Sequence, residues 1–282
     1  MTESEFIGLI AGNGALPVEF AKRAAARGFR VLAIGATPGV SPEIAEHVER
    51  FLPIPITQWG HVVHALERHG VKSVYVLGSV PKRALYGGAP MDERFLSVVR
   101  SAQDASDNAL FRAFADDLAG CGITIREQME LLPELTAGPG VLTSREPTEE
   151  EWRDVRFAFR MAKGLAQLDI GQTVVVKRQA VLAVEAIEGT DATLRRGAQL
   201  GRGDVVACKV AKPDQDPRFD LPTVGPDTVR TMAECGVRVL AFEAHRTILV
   251  DREKMQDVAD GAGVSLVAVE SGFEEGGASC AS

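Results

Sequence analysis

Short apolar runs recur along the first half of the chain, each followed by a segment of helical periodicity. That alternation restricts the fold more than anything else in the sequence. Phe6 to Ile10 is apolar and runs into Gly-Asn-Gly. From Pro17 to Arg27 the apolar positions Val18, Phe20, Ala21, Ala24 and Ala25 repeat as on a helix, and Gly28 is placed to stop it. Arg30 to Ile34 reads as a second strand and Val71 to Leu77 as another, with a helix over Gln58 to Arg68 before it. Strand, helix and strand at this spacing predict a parallel sheet with right-handed crossovers. Helical patterns over Asp92 to Arg100 and Ala105 to Ala119 precede a strand over Thr124 to Gln128.

Leu132 to Pro147 breaks the pattern, carrying Pro133, Gly138, Pro139, Gly140 and Pro147 with little periodicity. A helix restarts over Thr148 to Leu168, with Glu149, Glu150 and Glu151 at its positive end. Strands over Thr173 to Arg178 and Ala180 to Ala186 follow, and Lys-Arg-Gln at 177–179 suggests a hairpin between them. Beyond them the pattern gives a helix over Asp191 to Leu200, a strand over Val205 to Val210 and a long polar loop. Then come a helix over Asp227 to Cys235, strands over Val237 to Glu243 and Thr247 to Val250, a helix over Arg252 to Ala262 and a strand over Val264 to Val269. The expected architecture is α/β throughout: a Rossmann-like parallel-sheet N-terminal domain over residues 1–138 and a second α/β domain with a mixed sheet over 139–282.

Composition closes off several functions. The chain has 282 residues, 45% hydrophobic and 25% charged, which suits a globular protein with sizeable cores. Its net charge of -8 argues against wholesale nucleic-acid binding. Cys121, Cys208, Cys235 and Cys280 have no zinc-knuckle or redox spacing, which fits a reduced, cytoplasmic compartment. MTESEFIGLIAGNG is acidic and then strand-like, unlike a signal peptide, and no apolar run reaches the roughly 18 residues of a membrane span.

Four motifs carry candidate chemistry. Gly12-Asn13-Gly14-Ala15-Leu16-Pro17 joins the first strand to the first helix, where glycines let a backbone approach a phosphate and the helix start favours an anion. Pro17 occupies the third glycine position of GxGxxG, which disfavours an NAD(P) oxidoreductase. Gly78-Ser79-Val80-Pro81-Lys82-Arg83 follows another strand and brings Ser79 and the cation Lys82 to the same sheet edge. Glu185 to Asp191 clusters Glu185, Glu188 and Asp191 at a strand-to-helix turn, with Arg195 and Arg196 a turn further on. The segment KVAKPDQDPRFDLPTVGPDT, residues 209–228, sets Asp214, Asp216, Asp220 and Asp227 among Lys209, Lys212 and Arg218. Pro213, Pro217, Pro222 and Pro226 keep it from becoming one helix or one strand. It is either a salt-bridged surface loop or a site where carboxylates hold a hard cation and lysines meet phosphate oxygens. His61 and His64 are three apart on a helix with no evident third ligand.

IAGNGALP, VLAVEAIEGTD at 181–191 and the 209–228 segment together closely resemble the UDP-2,3-diacylglucosamine pyrophosphatases of lipid A biosynthesis. The resemblance is to the two-domain, magnesium-dependent alphaproteobacterial type rather than the metallophosphoesterase-fold enzymes, and it covers nearly the whole chain. Where that family often has Gly-Asp-Asp ahead of a helix, this chain has Ala105-Ser106-Asp107. The resemblance implies hydrolysis of UDP-2,3-diacylglucosamine to UMP and 2,3-diacylglucosamine 1-phosphate, with water attacking the β-phosphorus. It also implies Mg²⁺, a ligand between two domains, and work at the inner face of the cytoplasmic membrane as a peripheral protein. Asp227 is the first catalytic candidate, with Asp220 and Asp191 next; all three are candidate metal ligands. Candidate substrate contacts are Gly12, Asn13, Gly14, Leu16, Pro17, Ser79 and Lys82 from the first half, and Lys177, Thr190, Lys209, Lys212, Arg218 and Thr223 from the second. Two other classes remain open at this stage: a non-catalytic protein that binds or senses a nucleotide sugar, and, less favoured, an NAD(P) oxidoreductase.

Overall fold

The structure, a computed structural model, describes residues 6–80, 90–104, 107–213, 215–219 and 221–273. It divides into two compact units: Met1–Pro133 together with Asp216–Asp220, and Glu134–Gln215 together with Leu221–Ser282.

The first unit is a five-stranded parallel sheet in the order β3-β2-β1-β4-β5. Its strands are β1 (Phe6–Ala11), β2 (Arg30–Gly35), β3 (Arg50–Leu52), β4 (Ser73–Leu77) and β5 (Thr124–Ile125). The helices between them are α1 (Leu16–Ala26), α2 (Trp59–Arg68), α3 (Glu93–Ser101) and α4 (Asp107–Gly120). After their first residues β1 and β2 are buried throughout, as strands covered on both faces must be. One core joins Leu32, Ile34 and Val74 to Trp59, Leu66, Phe95 and Leu118. Phe20 of α1 packs on Tyr75 with ring centroids 4.9 Å apart.

The sequence expected α1, α2 and α3 to within a residue or two of these bounds. Two differences have local causes. β3 was not expected; Pro53 and Pro55 follow its three residues, and pairing with β2 defines it. The strand expected to run to Gln128 stops at Ile125, and Gln128 instead donates from its backbone to Pro217 O at 2.9 Å and from Nε2 to Val76 O at 2.7 Å.

The second unit is a six-stranded mixed sheet ordered β6-β13-β11-β9-β7-β8. Its strands are β6 (Gly140–Val141), β7 (Thr173–Lys177), β8 (Ala180–Val184), β9 (Val205–Lys209), β11 (Val237–Glu243) and β13 (Ser265–Val269). β9, β11 and β13 run parallel, whereas β6 and β7 pair antiparallel with their neighbours and β8 antiparallel with β7. A separate parallel pair joins β10 (Thr223–Val224) to β12 (Ile248–Leu249). α5 (Glu149–Gln167) covers one face through Val155, Phe159 and Ala162. α6 (Thr190–Gly201), α7 (Pro226–Cys235) and α8 (Arg252–Ala262) cover the other through Leu194, Met232 and Met255. The start of α5 is fixed by a capping box, Thr148 with Glu151.

The expected hairpin is β7–β8. Its turn residues Arg178 and Gln179 both have positive φ, 49° and 57°, without being glycine. Asp154 of α5, only 4% exposed, holds the turn by accepting the N–H of Arg178 at 2.8 Å and of Gln179 at 2.6 Å. Replacing Asp154 by alanine leaves both turn donors without that acceptor, so Asp154→Ala should lower the free energy of unfolding by about 2–3 kcal/mol. Urea unfolding followed by circular dichroism measures this; a loss below about 0.5 kcal/mol would show that the turn stands without its carboxylate.

Candidate functional site

In the first unit the connections from β1 and β4 leave in opposite directions, because strand order reverses between them. Such a reversal opens a crevice at the carboxyl ends of the two strands. Gly12 to Gly14 follows one and Gly78-Ser79 the other, and the backbones are stitched together. Gly12 N donates to Leu77 O at 2.8 Å, Asn13 N to Ser79 O at 2.8 Å and Ser79 N to Asn13 O at 3.0 Å. A Cβ on Gly12 would lie 2.6 Å from Ser79 O, and one on Gly78, whose φ is +83°, 2.6 Å from Asn13 O. These glycines are needed for close approach of two chain segments. Gly14 has open space around it. Ala15 precedes α1 without a side-chain cap, so the helix start presents backbone donors. Asn13 Oδ1 accepts the Thr37 hydroxyl. Leu16 and Pro17, expected among the ligand contacts, are buried and seat the helix through their side chains, while Ser79 is exposed.

Arg218 belongs to this unit and is already paired within it. Its Nη2 bonds Asp216 at 2.6 Å, its guanidinium lies 5.4 Å from the Phe111 ring centre, and Phe219 stacks on Phe111 at 3.7 Å. The Arg218 hydrogen bonds hold the Asp216 carboxyl below its usual range against the opposing effect of burial.

In the second unit, polar groups collect where β9 ends. Lys209 is 9% exposed, and its Nζ donates to Thr190 Oγ1 and to Thr223 O, each at 3.1 Å. Thr190 Oγ1 in turn donates to Glu185 Oε1 at 2.8 Å. Lys209, Thr190 and Thr223, inferred separately from sequence, are therefore one bonded cluster. The helices beginning here, α6 and α7, have Gly189 and Gly225 as N-caps with no side-chain cap. Their first-turn N–H groups and dipoles favour an anion. Asp191 and Asp227 lie in those two first turns. Asp191 is half-buried and, among the described residues, makes no side-chain hydrogen bond. The Asp227 side chain is 91% exposed and paired with Arg230; it does not cap its helix.

Two expected lysines fall differently. Lys177 sits at the far end of the sheet: β7 is antiparallel to β9, Thr173 lies opposite Lys209, and Lys177 Nζ bonds Gly201 O at 2.9 Å and Gly203 O at 2.8 Å. It completes the end of α6 and takes no part in the Lys209 cluster. Lys212 Nζ bonds Asp169 at 2.5 Å, and its backbone N–H donates to Gln215 Oε1 at 2.8 Å. Lys82, Asp214 and Asp220 lie outside the described residues, as does the side chain of Asp107.

Glu243, missed from sequence, ends β11 with no exposure at all. It accepts Ala211 N at 3.0 Å, Lys163 Nζ at 3.1 Å, Ser271 Oγ at 2.5 Å and Arg246 Nη1 at 3.4 Å. The available signals were a carboxylate closing the apolar run Val239 to Phe242, and Lys163 on the Phe159 stripe of α5. Burial pushes the Glu243 carboxyl up, but the Ser271 hydroxyl, the Lys163 charge and the Ala211 N–H outweigh it and hold it below its ordinary range.

Among the described residues no group of three His, Cys, Asp or Glu gathers as a metal cage. Mg²⁺ needs few protein oxygens and takes the rest from water and substrate phosphates, so Asp191 and Asp227, whose oxygens are not engaged by buried donors, fit it by chemistry.

Two α/β units with polar groups gathered at the strand ends define a phosphate-ligand class of protein. The chain belongs to the LpxI family: residues 6–135 match the LpxI N-terminal domain and residues 138–267 the LpxI C-terminal domain. It is 36% identical to the UDP-2,3-diacylglucosamine pyrophosphatase LpxI of Caulobacter vibrioides over 94% of this chain and 97% of that one. Solved structures of N5-carboxyaminoimidazole ribonucleotide synthetases are far more distant. One, an ADP complex, has a TM-score of 0.28 at 14% identity, with 62% of this chain and 34% of that one covered. The Thermotoga maritima enzyme has a TM-score of 0.23 at 14% identity, with 65% and 42% covered.

Two outcomes follow from this geometry. Gly78→Ala forces a left-handed φ on alanine and a clash with Asn13 O, so its unfolding midpoint in urea should fall by the equivalent of about 2–4 kcal/mol; a near-unchanged midpoint would show that the close approach relaxes freely. Because the folded Glu243 carboxyl titrates below its unfolded value, its stabilisation is fully present above the unfolded value and lost as pH falls through the folded one. Glu243→Gln should therefore lose less stability than the unaltered protein between about pH 6 and about pH 3, as read from urea midpoints; equal losses would remove Glu243 from the acid transition.

Proposed function

We propose that the protein hydrolyses the pyrophosphate of UDP-2,3-diacylglucosamine to UMP and 2,3-diacylglucosamine 1-phosphate, a step of lipid A biosynthesis. The observation that carries this is the match of both halves to one family together with 36% identity to a pyrophosphatase along nearly the full length of both chains. The Lys209 cluster and the two uncapped helix starts support the reading, since they offer a cation and backbone donors to phosphate oxygens.

In the proposed reaction water adds to the β-phosphorus, the bond to the bridging oxygen breaks, and UMP leaves with that oxygen while the water gives up a proton. Lys209, Thr190 and the first-turn N–H groups of α6 and α7 neutralise and align the phosphates. Asp227 orients the attacking water or holds the metal, and Asp191 is the second oxygen donor. Bound Mg²⁺ would neutralise charge and lower the pKa of a coordinated water. The C-terminal half, residues 139–282, carries most of these groups. Among the described residues no helix is long and apolar enough to cross a membrane. We place the protein in the cytoplasm, in peripheral contact with the inner membrane face, because its proposed substrate carries two acyl chains.

Release of UMP from UDP-2,3-diacylglucosamine, with and without EDTA, tests the reaction and the metal together. Magnesium-dependent turnover is expected; binding without turnover would favour a nucleotide-sugar sensor. Asp227→Ala should lower kcat by on the order of 10²–10⁴-fold. Its thermal midpoint should barely move, because the lost ion pair is an exposed one worth about 0–1 kcal/mol. Near-normal turnover in that variant would remove Asp227 from the mechanism.

A further inference from the structure

Glu243 is a wholly buried carboxylate whose oxygens are already occupied by four donors, so it has no capacity left for substrate. Burying a charge is costly, and an apolar side chain would fill a strand end at least as cheaply. What the carboxylate adds is reach. Ala211, the second residue beyond β9, has both backbone groups tied to this hub: its N–H bonds Glu243 at 3.0 Å and its C=O accepts Lys163 Nζ at 3.2 Å. Arg246 extends the hub by one residue, bonding Glu243 through Nη1 and Lys212 O through Nη2 at 3.2 Å. Just upstream, Val210 N is fixed to Gln172 O at 3.0 Å. The peptide groups lying between Lys209 and Lys212 are thus set from beneath by Glu243, Lys163 and Arg246.

We propose that Glu243 is a positioning residue of the pyrophosphate site: it acts through Ala211 and Arg246 to fix the backbone that continues directly from Lys209. This rests on the pyrophosphatase reading. The sheet holds Lys209 by strand pairing, but the chain leaves the sheet at Val210, and its direction there is a choice. The hub makes that choice with charge-assisted bonds, which are stronger and more directional than apolar packing.

The experiment compares UMP release and thermal midpoints for the unaltered protein, Glu243→Gln, Arg246→Met, Arg246→Lys and Asp154→Ala. Asp154 is a similarly buried carboxylate that holds only the β7–β8 turn, so its loss reports on stability alone. Glu243→Gln should lower kcat/KM by on the order of tenfold to a hundredfold, while Asp154→Ala lowers the midpoint and leaves kcat and KM of the folded protein unchanged. Arg246→Met leaves the buried Glu243–Lys163 pair in place and should raise KM by about tenfold, with Arg246→Lys restoring most of it. If Glu243→Gln does not fold, the two Arg246 variants decide. The proposal is overturned if Glu243→Gln and Arg246→Met shift only the midpoint, as Asp154→Ala does. Absence of UMP from the unaltered protein would instead overturn the pyrophosphatase reading, and this proposal with it.

Discussion

A parallel strand covered by helices on both faces has nowhere along its length to keep a polar side chain in water. In β9, β11 and β13 the interior residues are apolar and buried, apart from Arg238, which is exposed at the irregularity in the pairing of β11 with β9, and the buried charged groups stand at the last positions, Lys209 and Glu243. The same restriction in the first unit leaves the turns after β1 and β4 as the places where backbone and polar atoms meet solvent. Chemistry at the carboxyl edge is thus a consequence of covering the sheet. That edge is also where helix starts point their free donors.

The long periodic elements were legible because their burial pattern is written along their own residues. β11 and α8 are found where the sequence predicts them, at Val237–Glu243 and Arg252–Ala262. The pieces that were not legible owe their conformation to a neighbour. β10 is two residues long and exists through Ile248 and Leu249; β3 exists through β2. No window of sequence contains those partners. The Gly12 and Gly78 turns show the same limit in another form. Each glycine reads as a loop residue, and only the fold shows that the two were required by one another.

The polar segment from Lys209 to Thr228 was read as one site and is physically two pieces. Lys209 and Thr223 join the second unit's cluster, whereas Asp216, Arg218 and Phe219 are built onto α4 of the first. In the sequence the charge of Arg218 could be counted, but its pairing could not be seen. Asp216, two residues away, takes that charge at 2.6 Å. Lys177 misled for the opposite reason: it lies near the cluster in the linear order of the sheet's first strands, but strand direction carries it to the other end.

Carboxylates of one chemical type have been sorted by what the fold already asks of them. Asp154 holds a hairpin turn, Glu185 holds Thr190, Asp216 neutralises Arg218 and Glu243 ties down the chain beyond β9. Each has its lone pairs committed to protein donors, and none could bind a cation or turn a water without giving up structure. Asp191 and Asp227 differ. Both stand in the first turn of a helix whose cap is glycine, so the capping duty that usually explains an aspartate there is absent. Asp227 has only an exposed pair with Arg230, which contributes little to stability. These two acids keep oxygen lone pairs that no buried donor takes up, the capacity that the proposed contact with a metal or a water requires.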